Sequence, residues 1–257
     1  MIGKNFLKEK LTNGEKVIGT WSIIPSVSTI DIICSAGLDF IMIDSEHGPI
    51  DPIIAQEMII ACESRQVSPI VRTSGLNASE ILKFLDVGAH GVQIPNITNI
   101  DEVKKFIEYS KYPPEGNRGF SPFTRSGDYI PNDILKYTEN QNKEIILGIN
   151  IEGKESINNI DNMFNLKAVD LYFIGLYDLS KSLGIPGDVK NKKVLIELEK
   201  LIKKIKSNGK FAGTIVTDDN DIKYFLDIGI DFLLNHVDAA VLKKAYSSSV
   251  DKFYKYK

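Results

Sequence analysis

The chain has 257 residues, 43% of them apolar, and a formal charge of -3. That length suits one α/β domain with a sizeable core, and the charge gives no basic footprint for nucleic acid. Cys34 and Cys62 are the only cysteines, too few for a disulfide framework or a zinc ribbon, so both read as buried thiols. Met1 to Lys10 is polar and charged where a leader would be apolar, and no stretch approaches the ~20 apolar residues of a membrane span. The expectation is a cytoplasmic protein whose partners are small molecules.

Apolar runs alternate with segments of helical period along the chain. The predicted strands are Val17 to Trp21, Phe40 to Asp44, Pro69 to Arg72, Gly91 to Ile94, Ile145 to Glu152, Leu171 to Gly175, Phe211 to Thr214 and Phe232 to Leu234. Between them the predicted helices run over 27–36, 52–64, 78–87, 100–110, 155–164, 193–207, 220–227 and from Ala239 onward. Strands apolar on both faces imply a parallel sheet covered by helices, and eight βα units imply a TIM (β/α)8 barrel occupying 1–257 as one domain. Gly37, Gly88 and Gly229 each end a helical segment just before a strand, one αβ turn used three times. The irregular stretch from Lys111 to about Pro131 is expected on the active face, after the fourth strand, where it would cover the site.

Polar residues gather where strands end. His47 closes Asp44-Ser45-Glu46-His47 after the second strand, with acids one and three positions before it able to orient the ring. Arg72 ends the third strand and offers a fork for a carboxylate or an enolate oxygen; an ion pair with Asp44 or Asp86 is the bland alternative, and the two roles can coexist. Glu152 and Asp178 end the fifth strand and follow the sixth. Two carboxylates there suit a hard divalent cation with open positions, although a loop cap and a helix cap would explain them equally well. His90 belongs to an αβ turn on the stability face, and His236 acquires no role.

The run Asp44-Ser45-Glu46-His47-Gly48-Pro49, with Val71-Arg72, Leu85-Asp86-Val87-Gly88-Ala89, Ile94-Pro95, Tyr112-Pro113-Pro114, Arg118-Gly119, Ile151-Glu152 and Asp178-Leu179-Ser180, resembles the HpcH/HpaI aldolase family over nearly the whole chain. The resemblance implies a pyruvate-binding TIM barrel that cleaves or forms a 4-hydroxy-2-oxoacid from pyruvate and an aldehyde. It implies a divalent cation, Mg²⁺ or Mn²⁺ with Co²⁺ a further candidate, on Glu152 and Asp178. His47 with Asp44 would move protons and Arg72 would stabilise the enolate, while Gly175, Leu176, Tyr177, Arg118, Asp86 and Asn150 would contact substrate. It also implies a homo-oligomer, a hexamer or trimer of dimers, with the C-terminal helix and tail, about 239–257, in the contacts.

Three positions depart from the family's habit. Gly175-Leu176-Tyr177 puts a bulky ring beside the expected pocket, which Tyr177 should narrow. Asn150 stands where a longer Gln is common, and Asn235-His236 replaces a glycine-rich stretch before Asp238. Two other readings stay open: a citrate-lyase-like or malyl-CoA-lyase-like carbon-carbon lyase, and a barrel that has lost catalysis and binds a ligand.

Overall fold

Eight parallel strands pair in chain order and close on themselves in the computed structural model, which describes residues 4–257. They are β1 (Val17–Ser22), β2 (Phe40–Asp44), β3 (Ser68–Arg72), β4 (Gly91–Ile94), β5 (Ile146–Ile151), β6 (Leu171–Ile174), β7 (Phe211–Val216) and β8 (Phe232–Val237). The helices are α1 (Phe6–Thr12), α2 (Val27–Cys34), α3 (Pro52–Ser64), α4 (Ala78–Asp86), α5 (Ile100–Ser110), α6 (Ile134–Glu144), α7 (Lys154–Met163), α8 (Leu176–Ser182), α9 (Lys192–Ser207), α10 (Ile222–Asp227) and α11 (Asp238–Lys255). The fold is a TIM-type (β/α)8 barrel, and all eight expected strands are present. Among the described residues no helix is long and apolar enough to cross a membrane.

The continuous apolar reading of the strands resolves into two cores, because successive side chains point to opposite faces. Phe40, Met42, Ile70, Ile146, Leu171, Phe173, Phe232 and Leu234 fill the barrel interior, where the Phe40 and Phe232 rings stack 3.8 Å apart. Ile41, Ile43, Val71, Val92, Leu147, Ile149, Tyr172 and Leu233 face outward into the helix layer. Keeping the inward parity to the strand ends brings Asp44, Arg72, Gln93 and Asn150 to the mouth of the barrel. The repeated αβ turn carries its glycines at φ of 91° (Gly37), 105° (Gly88) and 105° (Gly229), a left-handed backbone that a Cβ would oppose.

Three helices lie outside the predicted set: α1, α6 and α8. α1 places Leu7 and Leu11 in the interior core, and Asn5 before it donates to the His90 and Glu144 carbonyls at 2.8 and 2.9 Å. It closes the bottom of the barrel. The stretch from Lys111 lies at that same end, which corrects the expectation that it covers the site. It follows α5, whose chain runs back from the mouth to the base. There Arg125 pairs with Glu63 at the end of α3 and donates to the Val87 carbonyl at 3.2 Å, and Tyr112 exchanges two hydrogen bonds with Asn142 of α6 at 2.7 and 2.9 Å.

Candidate active site

Strand register makes the first contact of the site. Asp44 and Arg72 are cross-strand partners at the ends of β2 and β3, and Arg72 donates from Nε and Nη2 to the two Asp44 oxygens at 2.9 and 2.7 Å. Its third nitrogen, Nη1, lies 2.9 Å from Glu46, and its Cζ sits 4.1 Å from the centroid of the Trp21 ring. A planar guanidinium held by a bidentate carboxylate and an aromatic face has little freedom left. Asp44, only 2% exposed, also accepts from the backbone N–H groups of Glu46 and His47 at 3.1 and 3.4 Å.

Asp44 therefore shapes the turn that carries His47, and its carboxylate is occupied by Arg72 rather than by the imidazole. This changes the expected pairing of Asp44 with His47 in proton transfer. The acid near the ring is Glu46, 3.9 Å from His47 Nε2, and the His47 side chain is 71% exposed. Burial pushes the Glu46 carboxyl above its ordinary range against the pull of Arg72 and His47.

Across the mouth, Gln93 Nε2 donates to Asn150 Oδ1 at 2.6 Å, and Asn150 Nδ2 donates to Glu152 Oε1 at 2.8 Å. The backbone N–H of Asn96, at φ 56°, donates to Glu152 Oε2 at 2.9 Å. Asn150 is thus held at both ends of its amide. Asp178 sits in the first turn of α8, whose N-terminal cap is Gly175, so its carboxylate does not cap the helix. A Cβ added at Gly175 would lie 3.4 Å from Glu152 Cγ, 3.5 Å from Asp178 Oδ2 and 3.9 Å from Glu152 Oε1, so both carboxylates border the space beside Gly175.

Trp21, Asp44, His47, Arg72, Asn150, Glu152, Phe173, Gly175, Leu176, Tyr177 and Asp178 line one pocket of about 320 Å³ together with Ile23, Ile215 and Val237. Asp44 and Glu46 share Arg72, whereas among the described residues Glu152 and Asp178 have no ion pair. Like charges so placed favour an added cation. Glu152 and Asp178 are a pair, and no group of three or more His, Cys, Asp or Glu side chains suited to a metal is present among the described residues. Two oxygen donors beside open space fit a hard divalent ion that keeps positions for water and substrate.

Two of the expected substrate contacts lie elsewhere. Arg118 Nη2 is 2.7 Å from Asp86 Oδ1, with the Arg118 side chain fully buried over the Tyr112 ring at the base of the barrel. Within one barrel neither residue reaches the pocket, because Asp86 ends α4 and Arg118 follows α5, both at the end opposite the strand mouths. His90 is at the base as well, 2.9 Å from Glu63. His236 contacts Asp219 at 3.2 Å outside this pocket. Trp21, Gln93 and Asn96 belong to the site but do not stand out in the sequence, and Glu46 is the acid one position before His47 that was expected to orient its ring. The clearest signal was Gln93, a polar residue inside an otherwise apolar strand.

The model of the HpcH/HpaI aldolase/citrate lyase family matches residues 18–245, and the chain belongs to that family. It is 31% identical over 251 residues to a pyruvate aldolase from Rhizobium etli, covering 97% of each chain. It is 30% identical over 253 residues to a 4-hydroxy-2-oxo-heptane-1,7-dioate aldolase from Escherichia coli, covering 97% of this chain and 95% of the relative. The solved HpcH/HpaI aldolase from Desulfitobacterium hafniense DCB-2 superposes with a TM-score of 0.91 at 27% identity, over 96% of each chain. The chain is an aldolase-class carbon-carbon lyase.

Proposed function

We propose that this aldolase joins pyruvate to an aldehyde, and splits the resulting 4-hydroxy-2-oxoacid, with a divalent cation on Glu152 and Asp178. The observation that carries the reading is that these two carboxylates, neither in an ion pair among the described residues, border the space beside Gly175 in the same pocket as Arg72 and His47. A bound divalent cation supplies Lewis acidity toward a 2-oxo acid. Arg72, fixed by Asp44 and Trp21, presents a positive charge whose position needs no rearrangement when negative charge develops on the substrate oxygen. His47, exposed at the pocket edge with Glu46 nearby, moves the proton between the pyruvate methyl carbon and solvent. The Gln93–Asn150 pair keeps the Glu152 carboxylate aimed into the pocket.

Exchange of the pyruvate C3 protons in D₂O, followed by NMR with and without Mn²⁺, tests the reading. Cation-dependent exchange that vanishes in Glu152→Ala and Asp178→Ala is expected. No exchange in the wild type with any divalent cation would favour a barrel that only binds its ligand.

The reading extends to a cytoplasmic homo-oligomer of single-domain chains, a hexamer built through α11. That 18-residue helix exposes Val241, Leu242, Tyr246, Val250, Phe253 and Tyr254, a set of apolar side chains that an assembly would cover. Sedimentation of the full chain and of a chain ending at Ala240 should separate an assembly from a smaller species. A monomeric full chain at micromolar concentration would refute it.

A further inference from the structure

A second pocket of about 290 Å³ adjoins the first, at the lower end of the size range of ligand sites. Leu176, Tyr177 and Ile215 line both and form the wall between them. Beyond that wall the second pocket is mostly apolar, with Val189, Leu195 and Phe225 in its lining and Lys190, Thr217 and Asp221 its polar members. Leu176 is buried at 4% exposure, whereas Tyr177 is 51% exposed. A turn of that exposed ring would open the wall between the reaction pocket and the second one.

Charge at the rim points the same way. Among the described residues Lys190 is the one cation lining the second pocket, and its ammonium is already matched by Asp218 and Asp221 at 2.9 and 2.7 Å. In the first pocket the guanidinium of Arg72 is shared by Asp44 and Glu46. Arg72 is the cation assigned to the pyruvate oxygen, so among the described lining residues none is left over for a second carboxylate at the far end of an acceptor. A carboxylate in the apolar pocket would lose its hydration without gaining a partner.

Resting on the pyruvate aldolase reading, we propose that the second pocket receives the tail of the acceptor aldehyde, and that this tail is uncharged and apolar. Tyr177 is then a specificity-determining residue that separates the reacting carbonyl from the tail. The substrate class differs from a dioate, whose second carboxylate this chain does not neutralise. A methylene moved from water into such a pocket gains roughly fourfold in kcat/KM.

The test uses the full chain with Mn²⁺ and pyruvate, and measures kcat/KM for propanal, butanal, pentanal, hexanal and succinic semialdehyde. C3 exchange without aldehyde runs beside it. The expected result is a rise of roughly fourfold per added methylene, with succinic semialdehyde at least tenfold below butanal. Leu195→Trp, which fills the pocket, and Val189→Lys, which charges its edge, should each lower the hexanal-to-propanal ratio at least tenfold. The second variant guards against misfolding in the first. A flat series, or preference for succinic semialdehyde, overturns the proposal when C3 exchange is intact. Absence of C3 exchange instead overturns the aldolase reading on which it rests.

Discussion

Gln93 and Asn150 share a 2.6 Å hydrogen bond inside the barrel, and the other end of the Asn150 amide is spent on Glu152. The shorter Asn150 cannot aim its amide alone; Gln93, fully buried on the neighbouring strand, fixes which way it faces. Gln93→Leu should weaken Mn²⁺ binding by about 10- to 100-fold, the usual effect of losing a group that orients a metal ligand. Unchanged affinity in a direct Mn²⁺ titration would show that Asn150 and Glu152 hold their places without it.

Arg72 serves the fold as well as the site. Removing it leaves Asp44, with only 3% of its side chain exposed, as an uncompensated buried charge. Arg72→Ala should therefore lose about 3–5 kcal/mol of stability as well as activity. Arg72→Lys should recover much of the stability but little of the activity, since a point charge cannot reproduce the bidentate pair and the stacking on Trp21. Urea unfolding beside C3 exchange separates the two effects.

His47 is the opposite case. Its side chain is 71% exposed and its one contact with an acid is Glu46 at 3.9 Å, so His47→Ala should melt close to the wild type. Exchange at pyruvate C3 should fall by about 10²- to 10⁴-fold. Exchange at the wild-type rate would remove His47 from proton transfer.

At the base of the barrel, Glu63 is hydrogen-bonded by His90 and Arg125. Burial pushes its carboxyl up, but the two hydrogen bonds outweigh burial and hold it down at about 2. A carboxyl held lower in the folded than in the unfolded state stabilises the fold above its unfolded pKa. That contribution, about 2–3 kcal/mol, is lost as pH falls from about 4.5 toward 2. Burial also pushes His90 below its ordinary value, so protons again favour the unfolded chain as pH falls below the ordinary histidine range. Stability measured against pH should fall less steeply below pH 4.5 in Glu63→Gln than in the wild type. Parallel curves would contradict the linkage.

The barrel was legible because a parallel strand buried on both faces writes an unbroken apolar run, and eight such runs stand between helical segments. α8 was not, since seven residues from Leu176 to Ser182 are too few to display a helical period. The side of the barrel taken by Lys111 to Pro131 was misjudged by counting from β4, when α5 had already carried the chain back to the base. Arg118 and Asp86 were expected in the pocket from the family resemblance alone, and in the single chain they pair with each other at the base. Asp44 was attached to His47 because they are near in sequence, but strand register sets Asp44 against Arg72, 28 positions away.

Asp238, the first residue of α11, is buried and accepts from Ser22 Oγ at 2.8 Å and from the backbone N–H groups of Ile23 and Ile24 at 3.2 and 3.1 Å. The last turn of the barrel thereby secures the loop that follows the first strand. Trp21 and Val237, from those same two strands, both line the reaction pocket. A nascent chain that has produced Glu152 and Asp178 thus still lacks one side of its pocket, and must wait about sixty residues for it. Arrested chains released at successive lengths should acquire tight cation binding abruptly, once Asp238 is free to fold, which would make the cation a reporter of ring closure during synthesis.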